Sequence, residues 1–221
     1  MTSRTFPRHA PRRSAAVRGW WARSVASEAE ESAYDPGDWT KGARLARRGA
    51  VGEIRVEAGQ VVAAVSEGDD VQTVQVEVEV FSADEAQTVA EVVAGAAGWV
   101  GTLLSGRVPD QLDEGLEESG VELVPHGGLR SSCTCDAWVD PCPHALAVLL
   151  QVAWWVEDEP LTLLHLRGLD RSGLTERVAA TARPGGPEPS GGGEPDEDLA
   201  IALEAAEWAA VALEQEDDAD V

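Results

Sequence analysis

From Val74 to Val80 the chain alternates valine with polar residues: Val74, Val76, Val78 and Val80 against Gln75, Glu77 and Glu79. A period of two puts one kind of side chain on each face of a β-strand. Ile54 and Val56 alternate with Arg55 and Glu57 in the same way. Ala58-Gly59-Gln60 and Glu67-Gly68-Asp69-Asp70 supply turn residues between these runs. Residues 51–80 therefore predict a three-stranded antiparallel meander. Ser82 followed three residues later by Glu85 is a capping-box pattern, which predicts a helix over about 83–97 laid on the apolar face of the sheet. Upstream, "GWWARSVASEAE", 19–30, reads as a short helix with Trp20 or Trp21 and Val25 inward. Downstream, short helices are expected near 99–105 and 109–119, a very apolar one over 143–156, a short one opened by Pro160, and a last one over 170–181. The fold class is α+β, a small antiparallel sheet packed by helices.

The two ends of the chain break this pattern. Residues 1–18 hold five arginines, two prolines and no acid, and read as a flexible basic arm. "PGGPEPSGGGEP", 184–195, holds four prolines and five glycines and reads as a linker. Beyond it Leu199, Leu203, Ala206, Ala210 and Leu213 form one helical stripe in a stretch without a basic residue. That acidic helix either docks on a partner or rests on its own domain. The organisation expected is a basic arm (1–18), an α+β domain (19–125), a second module with its following helices (126–183), a Gly/Pro linker (184–196) and an acidic tail (197–221).

Charge narrows the function. The chain carries 17 Lys and Arg against 40 Asp and Glu, a net charge of −23. Such an excess repels polyanions on average. The first 55 residues are the exception, with 11 basic and 6 acidic side chains. Any nucleic-acid footprint must draw on this quarter, with Arg8, Arg12, Arg13, Arg44, Arg47 and Arg48 as its candidates. The longest apolar stretch, Ala145 to Val156, is too short to span a bilayer and is interrupted by Gln151. The arginines near the start precede no apolar core of a secretory signal. A cytoplasmic location with reduced thiols is the expectation.

All three cysteines lie in "SSCTCDAWVDPCPHALAVLL", 131–150. Cys133, Cys135, Cys142 and His144 make four nitrogen or sulfur donors, the number a structural zinc ion takes in a tetrahedron. In extended chain, residues two apart face the same side, so Cys133 and Cys135 can present both sulfurs to one ion. Asp140-Pro141 then turns the chain, and Pro143 suits the first position of a helix. Cys142 becomes the cap residue and His144 a first-turn residue, where the helix start favours a thiolate. An isolated free cysteine is usually a small core hydrophobe. Three within ten residues beside a histidine are not explained that way. An iron–sulfur cluster is the chemical alternative, but its four-cysteine runs are absent. Trp138 is expected to pack over the site and Asp136 to accept a hydrogen bond from a ligand. His126 reads as a loop residue, His165 as a packed core residue and His9 as part of the arm.

The pattern C-x-C-x6-C-x-H at these four residues resembles the SWIM zinc finger, named from Swi/Snf-type ATPases and Mutator-type transposases. "WWARSVASEAE", "ARRGAVGEIRVEAGQVVAAV" and "DEPLTLLHLRGLDR" also resemble SWIM-finger proteins of high-GC actinobacteria, so the likeness spans roughly 19–178. It implies a zinc-stapled hairpin and helix with one Zn2+ per chain. It implies a module that binds proteins or DNA, often beside a Swi/Snf-type helicase, and it implies no catalysis. Pro143 stands where such fingers often carry a basic residue. No Lys or Arg occurs between Arg130 and Arg167, whereas Asp136, Asp140, Glu157, Asp158 and Glu159 do. Because Lys and Arg supply most affinity for phosphates, a protein partner is expected and DNA, if bound, only weakly. Motifs of P-loop, zinc-protease, serine-hydrolase and deaminase chemistry are absent, so no catalytic residue is assigned.

Overall fold

In the computed structural model, residues 3–125, 127 and 129–181 are described. The chain separates into two units, Met1–Arg183 and Pro184–Val221, and the linker and acidic tail lie outside the described residues. The leucine stripe of 199–213 and the loop histidine His126 fall there too.

The alternating valines build the meander: β2 (Val51–Glu57), β3 (Gln60–Glu67) and β4 (Asp70–Glu77). Their register pairs Ile54 with Ala63, Val56 with Val61, and Val61 with Val76. Directly opposed residues share a face, so these buried side chains form one apolar surface. The alternation runs on past the strand. β4 ends at Glu77, where Val78 N–H instead bonds Gly59 C=O at 2.9 Å, and Val80 is exposed. Gly59 makes this turn at φ +77°, a conformation that favours glycine.

Two edge strands extend the meander to five, in the order β1-β2-β3-β4-β5 with every pair antiparallel. β1 (Arg4–Phe6) comes from the stretch expected to be a flexible arm, and β5 (Arg130–Cys133) opens the cysteine segment.

The helix on the apolar face of the sheet is not the one that the capping box opens, which packs mainly against other helices. The apolar segment 143–158 takes the sheet, and the first two helices pack on that segment. The first, α1 (Trp20–Glu31), buries Trp21 and Val25 as its pattern implies. The helix α2 (Pro36–Arg47) was not anticipated from periodicity. Its local signal is the Asp35-Pro36 pair: Asp35 accepts hydrogen bonds from Gly37 N–H and Asp38 N–H, and Pro36 occupies the first turn. The capping box forms as written, with Glu85 N–H bonding Ser82 Oγ at 3.2 Å and Ser82 N–H bonding Glu85 Oε2 at 2.8 Å. It opens α3 (Ala83–Gly95), followed by α4 (Trp99–Leu104) and α5 (Leu112–Glu118).

The very apolar segment is α6 (Pro143–Asp158), followed by α7 (Leu161–Leu166) and α8 (Arg171–Thr181). A helix apolar on all sides must be enclosed on all sides. α6 is: it touches α1, α2, α7 and strands β2 to β5. Midway along it Gln151 is fully buried and donates to Ala46 C=O at 3.4 Å. No helix among the described residues is long and apolar enough to cross a membrane.

Candidate metal centre

The register of the last strand pair aims the first ligand. Cys133 pairs with Val74, so it shares the inner face of the sheet with the buried valines. Two residues on, Cys135 follows the same period. Between them, Thr134 clamps the chain to β4. Its N–H bonds Thr73 C=O at 3.1 Å, its hydroxyl accepts from Thr73 N–H at 3.0 Å, and the same hydroxyl donates to Gln72 Oε1 at 2.7 Å.

The second pair rides on α6. Cys142 is the cap residue and Pro143 the first-turn proline. The loop joining the pairs is held by Asp140, whose carboxylate accepts from the Ser131 hydroxyl and from Ser131 N–H at 3.2 Å. The Asp140-Pro141 peptide bond is cis.

The four donor atoms of Cys133, Cys135, Cys142 and His144 all lie within 4.8 Å of one another. His144 Nδ1 faces the Cys142 sulfur at 4.0 Å. A tetrahedral zinc ion holds sulfur at about 2.3 Å and nitrogen at about 2.0–2.1 Å, so a slight contraction brings these donors onto one ion. Three soft thiols with one imidazole suit zinc in particular.

At two of the thiols, burial favours the protonated form. Burial pushes the Cys133 thiol up to about 12 and also raises Cys142. The helix start does favour the Cys142 thiolate through Ala145 N–H, as its position implies, but burial outweighs that contribution. Zinc supplies the missing positive charge, and binding it releases protons.

The other nitrogen of His144 shows what sequence reading missed. His144 Nε2 meets Glu67 Oε2 at 3.1 Å, and Lys41 Nζ meets the same oxygen at 3.1 Å. Burial raises the Glu67 pKa, but Lys41 and then His144 more than offset it and hold the carboxyl below its usual value. A carboxylate on the far nitrogen of a ligating histidine fixes the ring and raises its basicity. Glu67 ends β3 and Lys41 belongs to α2, so two distant segments complete the finger's surroundings. Gly42, next to Lys41, permits the approach: a Cβ there would sit 2.8 Å from Leu146 Cβ and 2.9 Å from Pro143 C=O. The Asp35-Pro36 start of α2 was the available sequence signal. Nothing local marks Glu67.

Two expectations about the loop are corrected. Trp138 does not pack over the ligands, being 80% exposed with its ring edge-on to Tyr34. Asp136 is exposed and bonds no ligand among the described residues, while Asp140 takes the bracing role. With Asp140 tied to Ser131, residues 136–138 stay exposed while Val139 packs against the core.

The basic candidates are not drawn together at the finger. Arg12 lies over the Trp154 ring at 4.6 Å and pairs with Asp158 at 3.7 Å. Arg47 Nη1 donates to Arg13 C=O at 3.4 Å. Arg8, Arg13, Arg44 and Arg48 are exposed. His9 is buried at 9% exposure between Trp154 and Trp155, at 5.4 and 4.3 Å. His165 is buried as expected, with Nε2 lacking a hydrogen-bond partner among the described residues.

Comparison with known proteins agrees with this geometry. The chain is 27% identical over 182 residues to "Uncharacterized protein Rv2102" of Mycobacterium tuberculosis (strain ATCC 25618 / H37Rv), a match covering 80% of this chain. It spans 65% of that relative's length. No solved structure matches. The family model of the SWIM zinc finger matches residues 111–153, from the turn before α5 to the third turn of α6. Residues 111–153 thus match the SWIM zinc finger, and within them Cys133, Cys135, Cys142 and His144 gather to hold one zinc ion.

Proposed function

We propose that this protein is a non-enzymatic adaptor whose finger binds a protein partner, as accessory to a Swi/Snf-type helicase in DNA transactions. The observation that carries the reading is the completeness of the ligand set. Four protein donors converge on one point, and a catalytic zinc keeps an open position. The charge around the finger points the same way. From 131 to 166 there is no Lys or Arg. Arg167 is itself buried over the Phe81 ring at 4.2 Å, bonding Glu122 and Leu123 carbonyls. A surface with so few cations has little to offer phosphates.

A direct nucleic-acid reading rests on one observation, that Arg8, Arg13, Arg44 and Arg48 stay exposed. The distinguishing experiment is affinity purification of the tagged, zinc-loaded protein from its native cells, with and without nuclease. Recovery of an ATPase that survives nuclease is the expected result. A mixture that disperses on nuclease treatment would transfer the function to nucleic acid.

A further inference from the structure

Among the described residues the large apolar side chains left exposed are Tyr34, Val71, Val80 and Trp138. Two of these four touch. Tyr34 lies in the turn between α1 and α2, and Trp138 lies between the two ligand pairs. Their ring centroids stand 4.9 Å apart at an interplanar angle of 72°. They are 65% and 80% exposed, in a protein that buries Trp21 and Trp154 completely or nearly so. Single exposed hydrophobes are ordinary, but a contacting aromatic pair assembled from two remote loops is a recognition surface in form.

The charged residues that flank the pair in sequence are acidic. Asp35 adjoins Tyr34, Asp136 precedes Trp138 by two residues, and both are exposed. Asp136 has no hydrogen bond or ion pair among the described residues. Zinc held by three thiolates and a neutral imidazole leaves the centre with a net negative charge. Lys41, the first cation of α2, is already engaged by Glu67.

We propose that the Tyr34–Trp138 pair is the docking point for an arginine-bearing basic segment of a protein partner. The proposal deepens the protein-binding reading and rests on it. A guanidinium plane stacks on the open indole face, and the exposed carboxylate of Asp136, two residues from Trp138, supplies an acceptor for its N–H groups, while the Asp35 carboxylate, which caps α2, adds negative charge. A nucleic acid would bring phosphates to the same carboxylates and be repelled. Trp138 sits in the loop that zinc closes, between Cys135 and Cys142, so docking requires the metal.

The test uses the full-length, zinc-loaded protein labelled with 15N, with the Trp138 indole signal assigned by its loss in Trp138→Phe. The probes are a short alternating Arg-Gly peptide, its Lys-Gly counterpart and a short thymidine oligonucleotide, all near physiological salt. The Arg-Gly peptide should shift the Trp138 indole saturably, and chelation of zinc should abolish the shift. Trp138→Ala, with its zinc retained, should weaken that binding about fivefold or more, and the lysine peptide should bind more weakly than the arginine one. If Trp138→Ala loses zinc, Tyr34→Ala, remote from the ligands, serves in its place. A peptide that binds while the Trp138 signal stays still is held by acidic charge elsewhere, which overturns the proposal. In that case a partner that still co-purifies with Trp138→Ala leaves the protein-binding reading standing. Movement of the Trp138 signal by the oligonucleotide and not by the peptide would overturn both.

Discussion

The two ends of α6 are secured by different chemistry. At the amino end, four donor atoms within 4.8 Å of one another, one carboxylate and one ammonium do the work. At the carboxyl end a strap made of residues 4–18 crosses the helix. Phe6 stacks on Trp155 at 4.8 Å, His9 fits between Trp154 and Trp155, and Arg12 covers Trp154. Hydrogen bonds finish it: Trp154 Nε1–H to Ala15 C=O at 3.1 Å, and Arg18 N–H to Glu157 Oε1 at 2.7 Å. Arg4 pairs with Glu159. Chelation concentrates its energy in a few atoms whose positions are exacting. The strap spreads its energy over rings and backbone groups, each contributing little. The first kind of closure fails all at once and the second by degrees.

The largest break should come from Cys142→Ser. Structural zinc contributes about 10–16 kcal/mol of apparent binding free energy in finger peptides, most of which is folding energy. Zinc content measured by mass spectrometry should fall well below one per chain. Hydrogen exchange should quicken across 130–146 while the strap end of α6 keeps its protection. Loss of protection at both ends would show that the two closures are one unit. Trp154→Ala attacks the other end. Trp154 is fully buried, and such a truncation costs about 3–5 kcal/mol. Urea unfolding should register this loss with zinc stoichiometry unchanged.

Glu67→Gln sharpens the comparison from inside the amino end. Outer partners of metal ligands typically matter about 10–100-fold in affinity, so competition with a chelator should show zinc held that much more weakly. The strap should be untouched. The same assay should show affinity rising with pH, because Cys133 and Cys142, whose thiols are pushed up by loss of water, must give up protons to bind.

The smallest effect concerns His9. Burial, and then Arg12, lower its pKa from 6.5, with Asp158 opposing. The folded state therefore prefers the neutral ring and binds fewer protons than the unfolded chain. Its contribution is present above about pH 6.5 and lost as pH falls through the depressed value. Protection factors over residues 4–18, taken relative to the intrinsic exchange rate at each pH, should fall at pH 5 relative to pH 7.5, and His9→Phe should flatten that dependence. Acid thus loosens both ends of α6, through proton competition at the thiols and through charging of a buried ring at the strap.

These two ends also differ in how they read as sequence. The chelating end was legible because zinc chemistry demands particular atoms at short spacing, and C-x-C-x6-C-x-H displays both. The meander and the capping box were legible for a similar reason, since a period of two and a three-residue offset are local patterns. The strap reads as a flexible arm because its arginines, prolines and single histidine follow no period. Its partners lie more than a hundred residues away on α6. Proximity in sequence alone puts Trp138 over the ligands, whereas in the fold it is exposed against Tyr34.

What the sequence determined by itself was the donor set, the strand alternation, the helix starts and the acidic surroundings of the finger. Each depends on residues close along the chain, where geometry is fixed by backbone period and capping. Tertiary structure alone decided that Glu67 and Lys41 stand behind His144, that Gly42 lets α2 meet the finger, and that Tyr34 finds Trp138. Those pairings join segments tens to about a hundred residues apart. They exist because enclosing one apolar helix on every side forces those segments to converge around it.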